Sequence, residues 1–97
     1  MRIEVTAEDI AAGRQCDGEC CPIALAMKRA GWTGRPHAAY SFLTNGSAYG
    51  MRSRTPRDAQ AWMARFDDED FRAECKPFSF EVKVFEGVEP SVPVRNG

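Results

Sequence analysis

The pair Cys21-Pro22 constrains this chain more than any other feature. Proline fits a helix only in its first turn, where the missing N–H has no intrahelical acceptor to lose. Pro22 opens the apolar run Ile23-Ala24-Leu25-Ala26-Met27, so a helix begins here and Cys21 is its N-cap. A sulfur at that position lies near the positive end of the helix dipole, where a thiolate is stabilised. Cys21 is therefore both a stop mark in the backbone and the one residue where the sequence hints at chemistry.

The other elements follow from local patterning. Arg2 to Val5 alternates polar and apolar, which predicts a strand with Ile3 and Val5 facing inward. Thr6-Ala7-Glu8-Asp9 is a capping residue followed by acids in a first turn, and predicts a short helix from Ala7 to Ala12 ended by Gly13. Arg14 to Cys20 is a polar loop with a turn at Asp17-Gly18. The helix from Pro22 to about Ala30 lines up Ile23, Ala26, Met27 and Ala30, places Lys28 and Arg29 in its last turn, and stops at Gly31. Pro36 to Leu43 alternates with Ala38, Tyr40 and Phe42 on one side, and Asn45-Gly46 signals a two-residue hairpin returning through Ser47 to Arg52. Thr55-Pro56 repeats the cap-and-proline device before a third helix, Pro56 to Phe66, with Ala59, Trp62, Met63 and Phe66 as its apolar stripe. Asp67 to Asp70 is an acidic run, expected as a solvated turn. Phe78 to Val84 is the strongest strand, with Phe78, Phe80, Val82 and Val84 inward.

The order β-α-α-β-β-α-β predicts a two-layer α+β fold, a small and mainly antiparallel sheet with helices packed on one face. Its 97 residues make one domain over 1–84, followed by an extended or disordered tail over 85–97. No stretch is apolar enough to cross a membrane and the first residues carry no signal-peptide pattern, which points to the cytoplasm and to reduced cysteines. Thirteen basic residues stand against fourteen acidic ones, a balance that gives no support for general nucleic-acid binding.

Several groups of residues are candidates for chemistry. Cys16, Cys20, Cys21 and Cys75 supply four soft metal ligands. Zinc, however, favours two closely spaced pairs; Cys20 and Cys21 are adjacent and diverge, and Cys75 stands alone, so no cofactor is expected. Cys21 as a nucleophile needs a base, and His37 is the single histidine. A redox pair among Cys16, Cys20 and Cys21 lacks the Cys-x-x-Cys spacing. Arg52, Arg54 and Arg57, with Arg35 as a further member, gather near the start of the third helix, where arginines beside free N–H groups suit an anion. The acids at 67–70 with Glu74 resemble a phosphate row, but a charge run is ordinarily a solvated face. Trp32, Tyr49 and Phe85 are aromatic anchors if they are exposed together.

Ile3-Glu4-Val5-Thr6 with Asp9-Ile10 and Gly13, then Cys21-Pro22-Ile23-Ala24-Leu25-Ala26, Ala64-Arg65-Phe66-Asp67 and Pro77-Phe78-Ser79-Phe80-Glu81, resemble a family of small bacteriophage and prophage proteins. The likeness spans most of residues 2 to 84, and the Cys-Pro-Ile-Ala-Leu-Ala helix start is its most specific part. Cys16, Cys20 and Cys75 lie outside the shared pattern. The family carries no activity to transfer. It implies a phage protein in the host cytoplasm that binds a host protein, a defence component being one concrete target. The alternatives are a binder of a small anionic ligand such as a nucleotide at Arg52, Arg54 and Arg57, across an interface between copies of the chain, and a cysteine-dependent enzyme built on Cys21 and His37.

Overall fold

Alternation around Ile3 and Val5 produces the first strand, β1 (Arg2–Val5), with both side chains essentially sealed from solvent. The computed structural model describes residues 1–15, 17–47 and 50–85. A capping box then turns the chain into α1 (Ala7–Ala12). The Thr6 hydroxyl accepts from the Asp9 N–H at 3.2 Å, and the Asp9 carboxylate accepts from the Thr6 N–H at 2.9 Å. Both bonds satisfy amides that a helix start otherwise leaves open.

The helix α2 (Pro22–Ala30) begins as Cys21-Pro22 requires. The Ala24 N–H donates to Cys21 Sγ at 3.5 Å, and Pro22 occupies the first turn. Gly31 ends it at φ +112°, a left-handed conformation that glycine adopts without a Cβ penalty. Pro22, Ile23, Ala24, Ala26 and Met27 are all buried, a wider face than the spacing alone suggests. The reason is that α2 lies across β1, carries α1 against it and reaches β2 (His37–Ala38).

The predicted α+β class holds, with three helices and antiparallel strands. The single expected sheet is instead two. One pairs β1 with β5 (Phe78–Glu81), Ile3 facing Phe80 and Val5 facing Phe78. The other runs β2, β3 (Phe42–Thr44), β4 (Arg52–Arg54). They meet through Phe85, whose N–H and C=O bond the C=O and N–H of Arg52 at 2.8 and 2.9 Å. Between Val82, still paired with Met1, and Phe85 the chain steps from one sheet to the other. Phe85 was expected in the tail and is instead paired; the rest of that segment, 86–97, lies outside the described residues.

The hairpin also differs from expectation. The chain already reverses at Ala39–Phe42, where the Ala39 N–H donates to the Phe42 C=O at 2.9 Å. Alternation therefore breaks: Ala38 and Leu43 are buried, whereas Tyr40 and Phe42 are exposed. Asn45-Gly46 does turn, with Gly46 at φ +85°, but opens a longer connection to β4. Asn45 is buried and anchors it, accepting from the Ser47 N–H at 3.2 Å and donating to Thr33 Oγ1 at 3.3 Å.

The helix α3 (Arg57–Phe66) starts one residue later than expected, with Pro56 as an N-cap that makes no side-chain capping bond. Thr55 does not cap; its hydroxyl donates to the Ala39 C=O at 2.7 Å and ties the helix start to the hairpin turn. On the far side, Phe66, Trp62, Phe78 and Phe80 form a stacked column with centroid spacings of 5.4, 5.1 and 5.4 Å. Both α2 and α3 thus pack on the inner face of the β1–β5 pair. Asp67 to Asp70 is an exposed turn leading to a 3₁₀ turn at Arg72–Glu74. No helix among the described residues is long and apolar enough to cross a membrane.

Candidate functional site

Three distant segments enclose a cleft of about 350 Å³. Its floor is the start of α2, with Cys21 and Ile23. One wall is the loop at Asp17-Gly18 together with β2 and the hairpin turn, contributing His37 and Tyr40. The other wall is the outer turn of α3 and its end, contributing Trp62, Met63, Ala64 and Asp67. A volume near the lower end of the usual ligand range, about 300–1,000 Å³, fits one side chain or a small molecule.

Hydrogen bonds fix the walls from both ends. The Gln15 amide donates to the Phe66 C=O at 2.9 Å and Arg72 to the Gly13 C=O at 3.3 Å. At the other end the Gln60 amide donates to the Tyr40 C=O at 2.9 Å, beside the Thr55–Ala39 bond. Asp17 shapes its own loop: one carboxylate oxygen accepts from the Glu19 and Cys20 N–H groups at 3.0 and 3.1 Å. The Gly18 C=O accepts from the Ala38 N–H at 2.8 Å, which joins that loop to β2. A Cβ at Gly18 would run into the His37 imidazole, so glycine here lets the ring lie flat against the loop.

Cys21 and His37, the candidate nucleophile and base, do line the same cleft. Among the described residues no hydrogen bond joins them. The Cys21 sulfur instead accepts from Ala24, and the thiol is buried. Burial pushes its pKa up; the Ala24 and Ile23 N–H groups pull it down by less, and the carboxylates of Asp67 and Asp17 push it up further. The expected thiolate at a helix start is thus overruled, because desolvation and two nearby negative charges outweigh the amides.

Among the described residues the cysteines do not form a centre. Cys20, Cys21 and Cys75 are free thiols, Cys75 sits after the 3₁₀ turn with its Sγ directed at the Phe71 C=O, and Cys16 lies outside the described residues. Among the described residues no group of three or more His, Cys, Asp and Glu is placed to hold a metal ion. A disulfide between adjacent Cys20 and Cys21 is likewise absent.

Arg52 and Arg54 project from one face of β4 and are exposed; Arg57, also exposed, is the first residue of α3. Arg35 belongs elsewhere, paired with Glu19 at 3.0 Å. Of the suggested aromatic anchors, Trp32 is buried and donates its indole N–H to Met1 Sδ at 3.1 Å, Phe85 is exposed, and Tyr49 lies outside the described residues. The sequence marked Asp17-Gly18 only as a turn, Asp67 only as part of an acidic run, and Trp62 and Met63 only as core. Their meeting at one cleft has no signature along the chain, since 45 residues separate Asp17 from Trp62. No family model, no curated protein and no solved structure matches this chain.

Proposed function

We propose that the chain is a phage or prophage accessory protein that acts in the host cytoplasm by binding a host protein, with the cleft as its docking site. The observation that carries this reading is the composition of the cleft. Apolar and aromatic walls (Ile23, Tyr40, Trp62, Met63) meet two carboxylates, Asp17 and Asp67, above a thiol held in its neutral form. Such a site accepts a cationic head on an apolar stem, the description of a lysine or arginine side chain. The phage assignment is supported by the sequence likeness around Cys21-Pro22 and Phe78-Ser79-Phe80.

The test uses Ala64, an exposed small residue of α3 on the cleft wall. Ala64→Arg fills the cleft and places a cation beside its carboxylates without touching the core. Asp17→Asn removes one charge while keeping the oxygen that organises the loop. For a partner captured from host lysate and then purified, each variant weakens binding at least ten-fold by calorimetry, and so does alanine at the partner's inserted basic residue. Unchanged affinity with both variants overturns the cleft as the docking site.

A further inference from the structure

The face of the three-stranded sheet turned away from the core has a composition that the net charge conceals. Side chains at directly paired positions of a sheet share a face. Phe42 pairs with Arg54, and Arg52 pairs with Phe85, so two aromatic rings and two arginines stand together on one side. Both rings are largely in solvent, Phe42 at 59% and Phe85 at 54% of full exposure. Large exposed aromatics beside cations are uncommon on a surface that touches only water. Lys83 adds a third cation, its ammonium 5.6 Å from the centre of the Phe85 ring. Among the described residues none of Arg52, Arg54 and Lys83 is in an ion pair. Four of the fourteen acids, Asp67 to Asp70, lie apart from it, beyond the end of α3.

We infer that this face binds single-stranded nucleic acid, with bases stacked on Phe42 and Phe85 and phosphates held by Arg52 and Arg54. Stacking platforms interleaved with cations are what strand binding without base readout requires, because every base has a π-face and every nucleotide a phosphate. Spacing favours a strand over a free mononucleotide. The rings are two strands and two residues apart on the sheet, about 12 Å between their Cα atoms at ~4.8 Å per strand and ~3.4 Å per residue. Bases stacked in a duplex are only ~3.4 Å apart. One mononucleotide therefore reaches one ring, whereas an extended strand reaches both and passes its phosphates over the arginines between them. A base on Phe85 shares that ring with Lys83, whose charge then faces the adjoining phosphate.

The face and the cleft are separate, so the two proposals fail separately. Fluorescence anisotropy of a labelled twelve-residue oligothymidylate at low salt is the direct measurement. Saturable binding is expected, weakened at least five-fold by Phe42→Ala and by Phe85→Ala, in line with the worth of one stacked base. Arg52→Ala lowers the slope of log affinity against log salt by about 0.7, the share of one phosphate contact on a single strand. Ala64→Arg in the cleft leaves these values unchanged. Thymidine monophosphate competes only at concentrations at least a hundred-fold higher. The inference is overturned by the absence of saturable binding, by binding that the two phenylalanine variants do not alter, or by equal competition from polyglutamate, which carries charge without bases.

Discussion

At the scale of single residues, the contact that most rewards attention is Asp9 with Arg29. Asp9 is almost fully buried, and Arg29 grips it with two bonds, at 2.8 and 2.6 Å, while also donating to the Glu4 C=O at 2.7 Å. One guanidinium thus pins α2 to α1 and to β1. The sequence places Asp9 in a first turn and Arg29 in a last turn, each complementing a helix dipole, and gives no sign that they meet. Burial by itself would raise the Asp9 pKa, but the Arg29 bonds and the Thr6 N–H outweigh it and hold the carboxyl below its ordinary value. A carboxyl whose pKa is lowered by folding contributes stability that is complete above its unfolded pKa and is lost as pH falls through its folded pKa. Asp9→Asn is expected to cost about 1–3 kcal/mol at pH 7, the range for a buried charge-assisted contact whose partner stays half in solvent. The difference from the parent shrinks as pH falls below about 4, where the unfolded carboxyl is protonated first, and is gone only below the lower pKa of the folded state. Urea denaturation at both pH values measures it, and a pH-independent difference contradicts the account.

At the scale of elements, β1, α1 and α2 were legible in the sequence because each is bounded by its own chemistry: alternation, a capping box, a cap with proline, a glycine stop. The hairpin was not. Its first reversal, Ala39-Tyr40-Ser41, contains no glycine, proline or asparagine, and is imposed from outside by Thr55 and Gln60 bonding the Ala39 and Tyr40 carbonyls. Asn45-Gly46 carried a real turn signal, but Asn45 is spent on holding a long connection to Thr33 and Ser47. Gly50 packs so closely on the Asn45 side chain that a Cβ there has no room. Asn45→Ala removes two side-chain bonds in a buried place and is expected to cost about 1–3 kcal/mol by equilibrium denaturation. A change within ±0.5 kcal/mol, typical of surface sites, rejects the anchoring role.

At the scale of the whole molecule, the backbone of Phe85 links the two sheets. Its backbone makes both bonds to Arg52, so the last described residue of the chain ties β4 to the strand that closes the core with β1. Phe85→Pro deletes the N–H donor, and a net loss of about 1 kcal/mol follows. For a domain of this size that lowers Tm by about 4–8 °C, readable by circular dichroism. Phe85→Ala retains both backbone bonds and is expected to leave Tm nearly where it was. Equal losses from the two substitutions place the effect in the ring and contradict a backbone clasp.

What the sequence determined by itself is local: the class of fold, three helices near their observed bounds, the strands that carry Ile3 and Val5 and Phe78 and Phe80, and Cys21 as a cap. Each of these is written in neighbouring residues, because helical and strand periods and caps act over a few positions. Only the tertiary structure decided the rest. It split the sheet, turned Tyr40 and Phe42 outward, buried Trp32, and brought Asp17, His37 and Trp62 around one cleft. It also reversed the expected acidity of Cys21, since the helix amides that favour a thiolate are read from the sequence, while the desolvation and the carboxylates that defeat them exist only once the chain has closed.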